Sequence, residues 1–191
     1  MSGALLDVAL VHAPVVNRKG ETIGSAVTNL DLHDIARACR TFGVDTYWVI
    51  TPFAQQQELA GQIVGHWVEG YGKTANPDRG NALSLVRISS SLDEVIAETR
   101  KKWGRDLQVV ATCAKPHQDT IGYQAMRQRM NEQQPALLLF GTAWGLAPEV
   151  FTRVNATLPP VLGTGEYNHL SVRSAVSIIL DRLLGKREED M

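Results

Sequence analysis

The stretch Ala136-Leu137-Leu138-Leu139-Phe140-Gly141-Thr142-Ala143-Trp144-Gly145-Leu146-Ala147-Pro148-Glu149 decides how this chain is read. It opens on a continuous apolar run, strand-like in length, with none of the alternation that a half-exposed strand shows. A strand buried on both faces belongs to a parallel sheet covered by helices. Two glycines, Gly141 and Gly145, follow at once. Glycine there lets backbone approach a ligand closely, at the carboxyl end of a strand where open α/β sheets bind ligands. Taken alone, the same two glycines are equally well explained by a tight turn.

Outward from this run, strands and helices alternate. Short apolar segments at residues 4–11, 46–51, 83–88 and 107–112 read as strands. Between residues 31 and 42, apolar side chains at Leu32, Ile35, Ala36, Cys39 and Phe42 keep helical spacing. Asn29 or Asp31 could cap that helix and Gly43 ends it. Further helices are expected after Pro52, over 92–102 behind the caps Ser89 to Ser91, over 118–132 and over 169–184, with a short one at 146–151. Residues 65–81, rich in Gly, Asn, Pro and aromatics, read as a long loop, and the charged tail 186–191 as frayed. No repeat or linker divides the chain. The expectation is one α/β domain over 1–191, with a mostly parallel sheet flanked by helices.

Composition narrows the function. The 191 residues carry a formal net charge of -1, which argues against a protein that coats nucleic acid but not against an enzyme with a local basic patch. Arg100, Lys101, Lys102 and Arg105 surround Trp103; they read either as such a patch or as cations favoured at a helix end. No apolar run is long enough to cross a bilayer, and residues 1–10 lack the pattern of a signal peptide. With two cysteines, Cys39 and Cys113, free thiols in a reducing cytoplasm are expected. Cys113 and His117 are four apart without a second ligand pair, so no metal site is assigned. Phosphate-loop, dinucleotide and nucleophile-elbow signatures are missing.

A second loop runs Leu158-Pro159-Pro160-Val161-Leu162-Gly163-Thr164-Gly165-Glu166-Tyr167-Asn168-His169-Leu170-Ser171-Val172-Arg173-Ser174-Ala175. A rigid proline segment gives way to a flexible glycine turn and then to small and polar residues entering a helix. Asn168 or Ser171 could cap that helix. Ser171, Ser174, Ala175 and Ser177 are small enough for close approach to a ligand or to another helix.

Together the two loops, with LLFGTAWGL and GEYNHLSVRSA, resemble the SPOUT (α/β-knot) RNA methyltransferases, a small bacterial stand-alone group in particular. A first family motif, Asn-x-Gly-x-x-x-Arg-Thr-Ala before Phe-Gly-Val, has a counterpart at residues 31–44, with Arg37 at the family arginine. Asp31 and His33 replace its Asn and Gly; Ala143 replaces a frequent Glu, and Ser171 a frequent Asn. The resemblance implies a deep C-terminal trefoil knot, which ordinary topology rules would not suggest. It also implies S-adenosylmethionine as methyl donor and a homodimer acting on tRNA or rRNA in the cytoplasm. The expected donor site is Gly141, Thr142 and Gly145 with Leu162, Gly163, Tyr167, Asn168, Leu170, Ser171 and Val172. Arg37, Arg18 and His169 are the catalytic candidates, His12 being a second candidate base because histidine titrates near neutrality. Arg18, Lys19, Arg79 and Tyr71 are the RNA-contact candidates, while Trp67 reads as core. Ribose 2′-O methylation is the main expectation. A base nitrogen such as guanine N1 is the alternative, beside a non-catalytic RNA-binding knot domain and a small-molecule enzyme.

Overall fold

The structure, a computed structural model, describes residues 4–104 and 106–187. Arg105 of the basic cluster and residues 188–191 of the tail lie outside the described residues. In chain order the strands are β1 (Leu6–Val11), β2 (Val15–Val16), β3 (Thr22–Ile23), β4 (Thr46–Ile50), β5 (Val86–Ser89), β6 (Gln108–Ala111), β7 (Ala136–Gly141) and β8 (Ala156–Thr157). The helices are α1 (Asn29–Thr41), α2 (Ala54–Val68), α3 (Tyr71–Ala75), α4 (Pro77–Leu83), α5 (Leu92–Trp103), α6 (Tyr123–Asn131) and α7 (Val172–Leu184), with a 3₁₀ turn at Pro148–Arg153.

Six strands form one sheet in the order β5-β4-β1-β7-β6-β8, every adjacent pair parallel. The apolar run that opened the sequence reading is β7, central beside β1, with Leu6 opposite Ala136 and Val11 opposite Gly141. Both faces are covered, as its lack of alternation requires. On one face Leu6, Val8 and Leu10 pack with residues of α1, α6 and α7. On the other, Ala9 and Val11 pack with Leu92, Val95 and Ile96 of α5 and with Val150. Among this apolar material sits Asp7, fully buried in β1. Lys102 Nζ reaches it at 2.7 Å and Trp48 Nε1 donates to it at 3.0 Å. Burial pushes the Asp7 carboxyl up from its ordinary pKa, and the hydrogen bonds from Lys102 and Trp48 pull it back.

Several expectations need correction. Residues 65–81 are largely helical: α2 runs on to Val68, and α3 and α4 follow. Asn76 caps α4 by accepting from Arg79 N, with Pro77 in its first turn. The glycines that suggested a loop are packing glycines. A Cβ at Gly72 would meet the Trp67 ring at 2.6 Å, and one at Gly80 the Trp67 carbonyl at 2.6 Å. The strand expected at 83–88 therefore starts only at Val86. Thr28 caps α1, so Asn29 and Asp31 are already helical. The proline-led helix begins at Ala54, α6 begins at Tyr123, α7 begins at Val172, and the short helix expected at 146–151 is the 3₁₀ turn. The β2–β3 hairpin and β8 were not foreseen; each strand has two residues, too few for periodicity to register.

Candidate active site

At the carboxyl end of β7 the chain turns sharply. Gly145 N donates to Thr142 O at 2.9 Å, closing the turn, with Ala143 at φ +52° and Gly145 at φ +110°. Gly145 therefore occupies backbone space that side chains rarely tolerate. Gly141 is required for a different reason: a Cβ there would stand 2.6 Å from Leu146 N and 2.8 Å from Gly145 C. The turn is clamped from outside, because Val16 N donates to Gly145 O and Trp144 N to Val16 O. The β2–β3 hairpin thus grows directly from the turn and carries Arg18 and Lys19, both exposed, at its tip. Asn17 Oδ1 fixes that tip by accepting from Lys19 N and Glu21 N.

The second loop lies alongside. Leu162, Tyr167 and Leu170 are 66%, 84% and 44% exposed, and Trp144 of the first turn is 55% exposed. Bare apolar side chains thus gather on the two loops beyond the carboxyl end of β7, a candidate binding surface. His169 joins the loops: its ring lies edge-on to Trp144 at 5.8 Å and near Tyr167 at 6.4 Å. Asn168 does not cap the helix. Its Nδ2 donates to Ala114 O at 3.0 Å, tying the loop to the segment after β6, and Ser171 caps α7 by accepting from Ser174 N at 3.2 Å. Just before the loop, residues 156–158 run between two parts of one segment. Leu158 N donates to Ala111 O on one side; Thr157 N donates to Asp119 O, and Ile121 N to Thr157 O, on the other.

Behind the turn is a buried polar chain. Thr142 Oγ1 is hydrogen-bonded to Ser25 Oγ, and Ser25 Oγ lies 3.1 Å from His12 Nδ1. His12, following β1, is fully buried, and its Nε2 finds no partner at hydrogen-bond distance. Burial pushes the His12 pKa below the ordinary histidine value; the nearby charge of Asp31 and the Ala26 backbone act the other way. Asp31, in the first turn of α1 and 8% exposed, pairs with Arg173 Nε of α7 at 3.4 Å. Arg173 also reaches Asp34 at 2.9 Å.

The remaining candidates are placed differently. Arg37 is exposed on α1, and its guanidinium has no hydrogen bond or ion pair among the described residues. It lines a groove of about 720 Å³ between α1 and α7, with Ala38, Ser171, Ser174 and Ser177. Arg79 lies on α4 with its guanidinium 4.6 Å above the half-buried Trp67 ring, and Tyr71 is 79% exposed on α3. No contact among the described residues joins Arg79 or Tyr71 to the two loops. No group of three or more His, Cys, Asp or Glu forms a metal site among the described residues. Sequence reasoning missed Ser25, which sits in an irregular stretch without pattern, and Trp144 as a wall of the site. The bulky aromatic beside a glycine turn was the available signal for Trp144.

Residues 5–185 match the model of a family described as SAM-dependent RNA methyltransferase. The chain belongs to this SAM-dependent RNA methyltransferase family. A tRNA (guanine-N(1)-)-methyltransferase of Oleidesulfovibrio alaskensis is 46% identical over 183 residues, which are 96% of this chain and 43% of that protein. The chain thus spans less than half the length of the relative from which that name comes. An uncharacterized protein of Aquifex aeolicus is 36% identical over 96% of this chain and 90% of its own length. In fold, the methyltransferase chain is similar to the SpoU methyltransferase AviRb of Streptomyces viridochromogenes, solved with AdoMet. The TM-score is 0.60 and the identity 20%, over 96% of this chain and 58% of that one. No described helix is long and apolar enough to cross a membrane.

Proposed function

We propose that the chain transfers the methyl group of S-adenosylmethionine to RNA, tRNA or rRNA, at the edge where β7 ends. The observation that carries this reading is the pairing of the clamped turn at residues 141–145 with the bare apolar loop at 158–171. The residues fit the donor. The lack of a side chain at Gly141 lets the turn close, leaving its backbone to face a polar ligand end, while Leu162, Tyr167, Leu170 and Trp144 offer apolar walls to an adenosine. Gly163, Asn168, Ser171 and Val172 complete the loop. When bound, the donor supplies a methyl group on a sulfonium leaving group. The chain's part is to position, to exclude water and to handle the acceptor's proton.

Arg37 is proposed to hold the acceptor. Guanidinium is too basic for an ordinary general base, and its free, planar donors suit a phosphate or an attacking oxygen. Arg18 and Lys19, at the hairpin tip beside the donor turn, are proposed to bind RNA phosphates, with Arg79 and Tyr71 as more distant contacts. His169 would close the acceptor side between Trp144 and Tyr167. The passage of residues 156–158 between two parts of segment 111–121 supports a C-terminal knot. The α1–α7 groove, floored by Ala38, Ser174 and Ser177, supports a homodimer packed there, which would bring the partner's surface to Arg37. For the acceptor atom, the Arg37 counterpart favours the ribose 2′ hydroxyl, and the name of the 46% identical relative favours guanine N1.

The test is transfer of labelled methyl to bulk tRNA and rRNA, with nuclease digestion and mass analysis of the product. A 2′-O-methylnucleoside or an N1-methylguanosine upholds the function and selects the acceptor. Donor binding with no transfer to any RNA overturns it in favour of a binding domain.

A further inference from the structure

Behind the donor turn a hydroxyl and an imidazole stand in series, with the carboxylate of Asp31 near enough for its charge to act on the ring. Ser25 is half-buried, in the irregular segment between β3 and α1. Its Oγ lies 3.1 Å from His12 Nδ1 and 3.3 Å from the His12 carbonyl oxygen, and is bonded to Thr142 of the donor turn. His12 is fully buried, with Nε2 unpartnered, and Asp31, whose charge bears on it, is 8% exposed. A buried polar ring with a spare nitrogen costs stability unless it is used. Packing alone would be served better by an apolar side chain.

We propose that Ser25 and His12 form a proton relay that deprotonates the methyl acceptor. The inference rests on the proposed methyl transfer. The acceptor's O–H or N–H bond breaks and its proton passes to Ser25 Oγ, while the Ser25 proton passes to His12 Nδ1. The pair left on the acceptor bonds the incoming methyl, and the donor sulfur keeps the pair of its broken S–C bond. One proton remains on His12, where the charge of Asp31 meets it, and it returns to water after release. The charged group bearing on His12 is Asp31 of α1, itself held by Arg173 of α7, whose second partner is Asp34. Ser25 and Thr142 are neutral. The relay needs a neutral imidazole with a bare Nδ1. Burial favours the neutral form, and activity through the relay falls as acid protonates the ring.

Two measurements on the full chain test this. Nitrogen NMR of the donor-free protein, with His12 assigned by difference from His12→Asn, reads the tautomer without any turnover. A proton on Nε2 and a bare Nδ1 are expected; a proton on Nδ1 overturns the relay, since Ser25 would then only accept. Turnover on bulk tRNA is then compared with S-adenosylmethionine affinity by calorimetry. Ser25→Ala, which leaves the core intact, should lower kcat by about a hundredfold while keeping donor affinity within about threefold. His12→Asn should do the same and flatten the acid limb of the pH–rate profile. Wild-type turnover in either variant, or a loss confined to donor affinity, overturns the relay and leaves methyl transfer standing. Donor binding without transfer by the wild type overturns methyl transfer and the relay with it.

Discussion

Gly141 shows how one missing side chain lets a turn close. Its hypothetical Cβ would meet backbone atoms of Gly145 and Leu146, which cannot swing away as a flexible side chain could. Gly141→Ala is therefore expected to open the turn and to abolish S-adenosylmethionine binding in calorimetry, while the circular dichroism of the sheet survives. Arg37→Ala should do the reverse: turnover falls at least about a hundredfold and donor affinity stays within twofold. The sequence points to both residues, to Gly141 from its place after a buried strand and to Arg37 from its place in a motif. Asn168 was legible as important but not as what it does. Its tie to Ala114 joins residues 54 apart in sequence, and no local pattern encodes that. Ser25 was illegible for the same reason, since its partners His12 and Thr142 come from two different strand ends.

At the scale of elements, the buried ion pair between β1 and α5 sets a stability prediction. Lys102 spans Asp7 and Asp45, and its ammonium also lies over the Trp103 ring. Removing it by Lys102→Met leaves Asp7 charged and buried, which should cost about 3 kcal/mol in urea unfolding at neutral pH. Asp7→Asn should cost less, because no buried charge is orphaned. The raised pKa of Asp7 fixes the sign of its pH dependence. The folded protein binds this proton more tightly than the unfolded chain, so the contribution of Asp7 is full below the ordinary carboxylate pKa. It is lost as pH rises through the folded value. Urea midpoints followed upward from about pH 4 should show that loss in the wild type and not in Asp7→Asn. The elements were read from sequence where burial is uniform or periodic, as in β7 and α1. They were misread where packing glycines imitate loop glycines, as at Gly72 and Gly80 against Trp67.

The whole molecule places its two candidate loops at the carboxyl end of the sheet and its α1–α7 groove beside them. Fold class and layer arrangement followed from the order of apolar runs, because a doubly covered parallel sheet leaves few alternatives. The proposed knot could not follow from that order, since threading depends on how a late segment passes between parts of an earlier one. If the groove seats a second copy, Ser174→Arg should convert a dimer to a monomer in sedimentation velocity, with the melting temperature of the monomer fold little changed. The same variant should lose turnover where the partner completes the acceptor site. The most direct measurement is calorimetric titration of the purified, donor-free protein with S-adenosylmethionine. Micromolar affinity with close to one donor per chain is expected, lost in Gly141→Ala. A folded protein that takes up no donor would contradict the proposed methyl transfer.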